Sequence, residues 1–242
     1  MIEVSAVTKA FSTDTAEVRA VDEVNLAVNP GEFVLILGRS GSGKSTLLGM
    51  LAGLIHPTTG TVKLRGRDIR NLTEDEIAGL RAKEIGFVFQ FSGLIPTITA
   101  LENVMLPTLF CPGGSGCRKR AVELLSKVGI SHRNDAYPCT LSSGEMKRVA
   151  IARALINDPS ILIADEPTGD LDVDTELEIM EFFRELNREG TTIVMVTHNP
   201  DLVPFATRTY GMDRGKLVER SSLSSWNRVR QPASYGSRKD AS

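Results

Sequence analysis

Hydrophobic and polar positions alternate only partly at the start of the chain. IEVSAV and VRAVDEVNLAV predict two strands, and PGE marks a turn. FVLILG (33–38) then breaks the alternation with a continuous apolar run that ends in glycine, the pattern of a short strand buried on both faces. KSTLLGMLAGL (44–54) follows at helical spacing, HPTTG is a turn and TVKLRG another strand. TEDEIAGLRAK (73–83) predicts a helix with acidic residues in its first turn, where the helix dipole favours them. IGFVFQ (85–90) again reads as a strand, and helix signals return at 99–106. CPGGSGCRKR (111–120) predicts an exposed loop entering a helix over 120–128.

In LSSGEMKR (141–148), Ser142 stands three residues before Glu145 and ahead of an apolar-periodic run, which is a capping box. A strand ILIAD (161–165), a helix over 173–188, a strand TIVMVTH (192–198) and a hairpin in TYGMDRGKLVER complete the pattern. Strands alternating with helices predict an α/β fold with a largely parallel sheet. From Ser221 the chain turns to Ser, Arg and Gly, which predicts a disordered tail over 221–242.

Composition narrows this picture a little. Of 242 residues, 41% are hydrophobic and only 5% aromatic, so the core is aliphatic. The net charge of −2 gives no whole-molecule attraction to nucleic acid or anionic lipid, and no nucleic-acid partner is expected. Three cysteines, Cys111, Cys117 and Cys139, lack C-x-x-C spacing and read as incidental thiols of an intracellular protein. The N-terminal stretch has no signal-peptide h-region, and the apolar runs fall far short of the roughly 20 residues of a membrane-spanning helix.

Chemistry enters at GRSGSGKST: Gly38, Arg39, Ser40, Gly41, Ser42, Gly43, Lys44, Ser45 and Thr46. This is G-x-x-x-x-G-K-[ST] between a predicted strand and a predicted helix. The glycines let backbone N–H groups curl toward phosphates at a helix N-terminus. Lys44 supplies a point charge for the β- and γ-phosphates, and the Ser45 hydroxyl is a ligand for Mg²⁺. The loop by itself does not choose between a kinase, a GTPase, a helicase and a transporter ATPase.

The next candidates sit at strand ends, where ligands bind in such sheets. Asp165 can hold Mg²⁺ through water, and Glu166 can act as general base toward the attacking water. His198 can donate a hydrogen bond to the γ-phosphate, and Gln90 can touch both Mg²⁺ and the water. Phe11 either stacks on adenine or belongs to the core.

Phe11, GRSGSGKST, Gln90, LSSGE, ILIADE, GDLD and His198, in that order, resemble the motifs of the nucleotide-binding subunit of ABC transporters. GFVFQFSGLIPTITALENVMLP and IADEPTGDLD are similar to the macrolide-export, lipoprotein-release and cell-division branch. The resemblance implies the P-loop ABC ATPase fold: a mostly parallel core sheet, an antiparallel β region and a helical subdomain at about 91–157, within an ATPase domain spanning 1–220. It implies ATP and Mg²⁺ as ligands and a head-to-tail homodimer with two ATPs at the interface. Ser142 and the Gly144 N–H would then contact the γ-phosphate held by the other subunit, and Asp172 would face the opposite phosphate loop.

It further implies a stand-alone subunit on the cytoplasmic face of the membrane, docked on a separate permease whose helix lies in a groove linked to Gln90. Hydrolysis would drive export or extraction of a lipophilic substrate or lipoprotein, or, as in cell-division members, regulate a membrane complex without transport. Four positions depart from the family pattern: Ser143 where Gly is usual, Glu145 and Met146 where Gln is frequent, and Asp170 for Asn. Ser143 costs about 1 kcal/mol or more if the position needs positive φ, and nothing if it is the first helical residue after an N-cap.

Overall fold

The computed structural model describes residues 1–12, 16–111, 116–169 and 171–220. The expected tail over 221–242 and the substitution at Asp170 lie outside these residues.

The chain forms two sheets. β1 (Ile2–Ser12), β2 (Glu17–Val28), β4 (Thr59–Leu64) and the two-residue β5 (Arg67–Asp68) make an antiparallel sheet ordered β2-β1-β4-β5. β3 (Phe33–Leu37), β6 (Ile85–Val88), β7 (Ile161–Asp165), β8 (Thr192–Thr197), β9 (Arg208–Asp213) and β10 (Lys216–Arg220) make the second, ordered β10-β9-β3-β8-β7-β6. All its neighbours run parallel except the β9–β10 hairpin at one edge. The expectation of a mostly parallel core sheet with a separate antiparallel region therefore holds.

The continuous apolar runs have a simple cause. Every residue of β3, β7 and β8 is buried, and period-2 alternation sends successive side chains to opposite cores. Phe33, Leu35, Leu162, Ala164, Ile193 and Met195 face the core built by helices α3 (Ala100–Met105), α4 (Cys117–Lys127), α5 (Ser143–Leu155) and α6 (Val173–Arg188). Val34, Ile36, Ile161, Ile163, Val194 and Val196 face the core shared with helix α1 (Lys44–Leu51) and the antiparallel sheet. A strand covered on both sides has no use for polar alternation.

Helix limits follow local chemistry. α1 stops at Leu51, short of the predicted 54, because Gly53 turns left-handed at φ +64 and the Leu54 N–H folds back to the Gly49 carbonyl at 2.8 Å. Thr73 caps α2 (Glu74–Glu84) and Thr99 caps α3, each in a capping box with the glutamate three residues on. α4 begins at Cys117 rather than at 120, so Arg118–Arg120 occupy its first turn instead of a loop. Arg120 there pairs with Asp158. β6 ends at Val88, two residues before the predicted limit, so Phe89 and Gln90 leave the sheet. The hydroxyl of Thr197 and the side chain of Asn199 open an unpredicted 3-10 segment, Pro200–Phe205, just beyond His198.

Candidate functional site

The phosphate-loop sequence sits where the parallel strands end. β3 delivers Gly38 and α1 begins at Lys44, with a cleft of about 710 Å³ between the loop, Gln90, Glu166 and His198. Arg39, Ser40, Gly41, Ser42, Gly43, Lys44, Ser45 and Thr46 all line it. Gly38 lies beneath: a Cβ there would meet the Met212 carbonyl oxygen at 2.5 Å and the Ser42 hydroxyl at 2.6 Å. Gly43, at φ +103, would drive a Cβ to 2.0 Å from the Ala20 carbonyl oxygen. Space requires glycine at both positions, and at Gly43 the left-handed turn requires it as well. No side chain caps α1, so the N–H groups of its first turn are left for a ligand.

Lys44 is buried, and its ammonium donates to the carbonyls of its own loop, Gly38 at 2.7 Å and Arg39 at 3.1 Å. The same nitrogen stands 3.6 Å from Glu166 Oε1. The other carboxylate oxygen of Glu166 accepts from the His198 backbone N–H at 3.3 Å and faces His198 Nδ1 at 2.9 Å. Glu166 is 8% exposed, whereas the His198 side chain is 63% exposed, so the imidazole stands at the mouth of the cleft with its partner carboxylate behind it. Glu166 also holds a left-handed backbone at φ +45, pinned by its N–H to the Val196 carbonyl at 3.0 Å. Such a conformation costs about 1–3 kcal/mol in a non-glycine residue and gathers at functional sites.

Asp165 lies one step deeper. Its Oδ1 is buried without a hydrogen-bond partner, an uncommon state for a carboxylate oxygen. Burial pushes its carboxyl above the ordinary value, the Ser45 hydroxyl bonded to it pulls it down, Glu166 raises it again, and the ammonium groups of Lys44 and Lys147 lower it. A hydroxyl and an unsatisfied buried carboxylate beside a phosphate-type loop are hard oxygen donors, and they fit Mg²⁺.

Phe11 stands apart from these groups. It is in β1 opposite Val18, 43% exposed and outside the cleft lining, with the Lys9 ammonium 5.2 Å from its ring centre. Ser142, Gly144 and Asp172 form a second group. Ser142 caps α5 in a complete capping box: its Oγ accepts from the Glu145 N–H at 3.2 Å, and Glu145 Oε2 accepts from the Ser142 N–H at 2.8 Å. Arg133 steadies Glu145 from behind at 2.7 Å. Asp172 caps α6 by accepting from the Thr175 N–H at 3.0 Å. Gly144 faces Thr175 and Leu171, so the two helix starts adjoin each other. Ser143 is the first residue of α5 and has no positive φ, which is the strain-free alternative.

Several contributors escaped the sequence reading. Buried Lys147 donates to the carbonyls of Phe89 and Gln90, and Glu176 accepts from both Thr168 and Asn199, joining the turns that follow Glu166 and His198. The only sequence signal among these was Asn199, an Asx-type cap directly before Pro200.

The sequence family described as "ABC transporter" matches residues 21–169. The chain is 44% identical over 219 residues to a macrolide export ATP-binding/permease protein, MacB, of Chlorobaculum tepidum, covering 90% of this chain and 34% of that protein. It thus spans about a third of the length of the ATP-binding/permease relatives it matches. It is 46% identical over 220 residues to an uncharacterized ABC transporter ATP-binding protein, MJ1508, of Methanocaldococcus jannaschii, covering 90% of this chain and 98% of that one. Among solved structures, the ATP-binding cassette MJ0796, a dimer in a post-hydrolysis state bound to ADP and Pi, superposes with a TM-score of 0.87. The two share 41% identity over 91% of this chain and 98% of that one. In sequence, in sheet order and in the placement of its phosphate loop, the chain belongs to the ABC transporter family.

Proposed function

We propose that the chain binds ATP in the cleft, hydrolyses it as a head-to-tail homodimer and drives a separate membrane permease. The observation that carries the reading is the convergence of Lys44, Glu166 and His198 on one cleft whose loop also presents open helix N–H groups. The fold neighbour was captured as a dimer with ADP and Pi, which supports the same chemistry here.

In this reading the loop N–H groups and Lys44 hold the β- and γ-phosphates, and Lys44 exchanges its loop-carbonyl contacts for phosphate oxygens. Glu166 accepts a proton from the attacking water, with His198 holding Oε2 so that the carboxylate keeps one orientation. His198, exposed at the mouth, donates toward the γ-phosphate. Ser45, Asp165 and Gln90 would hold Mg²⁺, which when bound supplies charge neutralisation for the phosphates. Ser142, Gly144 and Asp172 act on the nucleotide of the partner subunit. Positioning and charge stabilisation supply most of the rate.

The permease reading is supported by an apolar groove of about 420 Å³ beside Gln90, lined by Phe87, Phe89, Phe91, Leu106, Pro107 and Phe110. Phe91 is 76% and Phe110 73% exposed, an arrangement that water penalises and an apolar helix would cover. Among the described residues no helix is long and apolar enough to cross a membrane, so the membrane partner would be supplied from outside them. A lipophilic cargo or lipoprotein is the substrate class favoured by the similarity to macrolide exporters.

The deciding experiment is Glu166→Gln, measured for ATP affinity, turnover and dimerisation. The expected outcome is retained ATP binding, a turnover loss of about 10²–10⁴-fold and accumulation of closed dimer. Near-normal hydrolysis would remove Glu166 from the role of base.

A further inference from the structure

Lys147 is a buried ammonium that the chemistry above does not use. It extends from α5, the helix that Ser142 caps, and is 5% exposed. Its Nζ lies 2.5 Å from the Gln90 carbonyl oxygen and 3.2 Å from that of Phe89, both more than fifty residues away in the chain. Burying a lysine is expensive unless its charge meets oriented dipoles or an opposite charge, and here it meets both. Two carbonyls point at it, and its field reaches the Asp165 carboxylate.

Six residues along the same helix, Arg153 repeats the arrangement: Nη2 donates to the Ser92 carbonyl at 2.6 Å and Nη1 to that of Gly93 at 2.8 Å. Two cations of one helix thus hold the backbone of the segment carrying Gln90, one at the Phe89 and Gln90 carbonyls and one beside the phenylalanine groove. No ladder hydrogen bond does this, because β6 has already ended at Val88. The segment is held by side chains instead of by sheet.

We propose that Lys147 is a positioning residue for Gln90: by holding the Phe89 and Gln90 carbonyls it fixes where the Gln90 amide stands relative to Asp165 and the cleft. The inference rests on the proposed ATPase function only for its kinetic consequence. Its structural consequence, an ordered segment 89–93 that depends on the Lys147 ammonium at its start, is independent of it.

The test uses Lys147→Met, which keeps the volume and removes the charge, and Lys147→Gln, which keeps a donor. In the nucleotide-free chain, backbone amides over 89–93 should exchange about tenfold faster in Lys147→Met, with α1 and β3 unchanged and partial protection restored in Lys147→Gln. In steady state, Lys147→Met should lower kcat about tenfold or more while KM for ATP moves less than about twofold. In a Gln90→Ala background the same substitution should add little further loss, because its effect passes through Gln90. Unchanged exchange over 89–93, or losses that add fully in the double variant, would overturn the proposal. If the unsubstituted chain hydrolyses no ATP, the proposed function fails while hydrogen exchange still decides the role of Lys147.

Discussion

Two helix starts in this molecule, α1 and α5, differ both in backbone and in what surrounds them: Gly43 opens α1 from a left-handed turn, whereas Ser142 opens α5 from extended backbone. The N-terminus of α1 opens into a cleft furnished by its own chain, with Lys44, Glu166 and His198 within a few ångströms of one another. The N-terminus of α5 has a complete capping box yet lies outside that cleft, beside the start of α6 and with Arg133 on its Glu145. One end is left uncapped for a ligand, and the other is capped by a serine whose remaining hydrogen-bonding capacity points to nothing described in the chain. A helix start so firmly built and yet apart from its own chain's cleft is what half of a composite site looks like, and it teaches that exposure of a polar motif is informative when its local structure is rigid.

Subunit complementation separates the roles of the two helix starts with the largest expected effect. Lys44→Ala and Ser142→Arg should each lower turnover by about 100-fold or more when pure. Mixed, they should regain a substantial part of it, because a head-to-tail heterodimer contains one site with neither defect. Two inactive variants that stay inactive together would show that the α5 start serves its own chain only.

Asp165→Asn has a smaller effect with a definite sign. A carboxyl whose folded-state pKa is raised favours folding below its ordinary value and loses that contribution as pH rises through the folded pKa. At neutral pH, well above the ordinary carboxyl value, the buried Asp165 therefore opposes folding of the nucleotide-free chain. The asparagine variant should melt a few degrees higher there, roughly the response to 1 kcal/mol in a domain of this size, and show a flatter dependence on pH. It should also need more Mg²⁺ for ATP turnover. A melting temperature that falls at neutral pH would contradict the reading of that carboxylate as unsatisfied.

Ser143→Gly should do least. Ser143 is an unstrained first helical residue, so turnover is expected within about twofold and stability within about 0.5 kcal/mol, read by steady-state kinetics and thermal melts. A large gain in activity would mean that its side chain hinders the dimer.

Much of this architecture was legible in the sequence, for reasons that can be named. β3, β7 and β8 announced themselves because burial on both faces abolishes alternation, and the range 173–188 of α6 was readable because Asp172 caps it. The phosphate loop was legible because its chemistry is local: glycines, lysine and hydroxyl act within nine consecutive residues. Lys147 and Arg153 were not legible, since their partners lie 57 to 61 residues away and are carbonyls, which carry no side-chain signature. The start of α4 was missed because Arg118–Arg120 read as loop chemistry although they occupy a helical turn. The orphaned oxygen of Asp165 was equally invisible, because burial without a partner is a property of the fold.

The left-handed backbone at Glu166 bears on the protein's history. Only its surroundings keep a glutamate there, and glycine or asparagine would occupy that conformation more comfortably. A library randomised at this position and selected for heat resistance alone should drift away from glutamate, while one selected for growth that requires ATP turnover should return to it. Glutamate stands there against the preference of its own backbone, and its persistence in such a selection would measure how much the chemistry is needed.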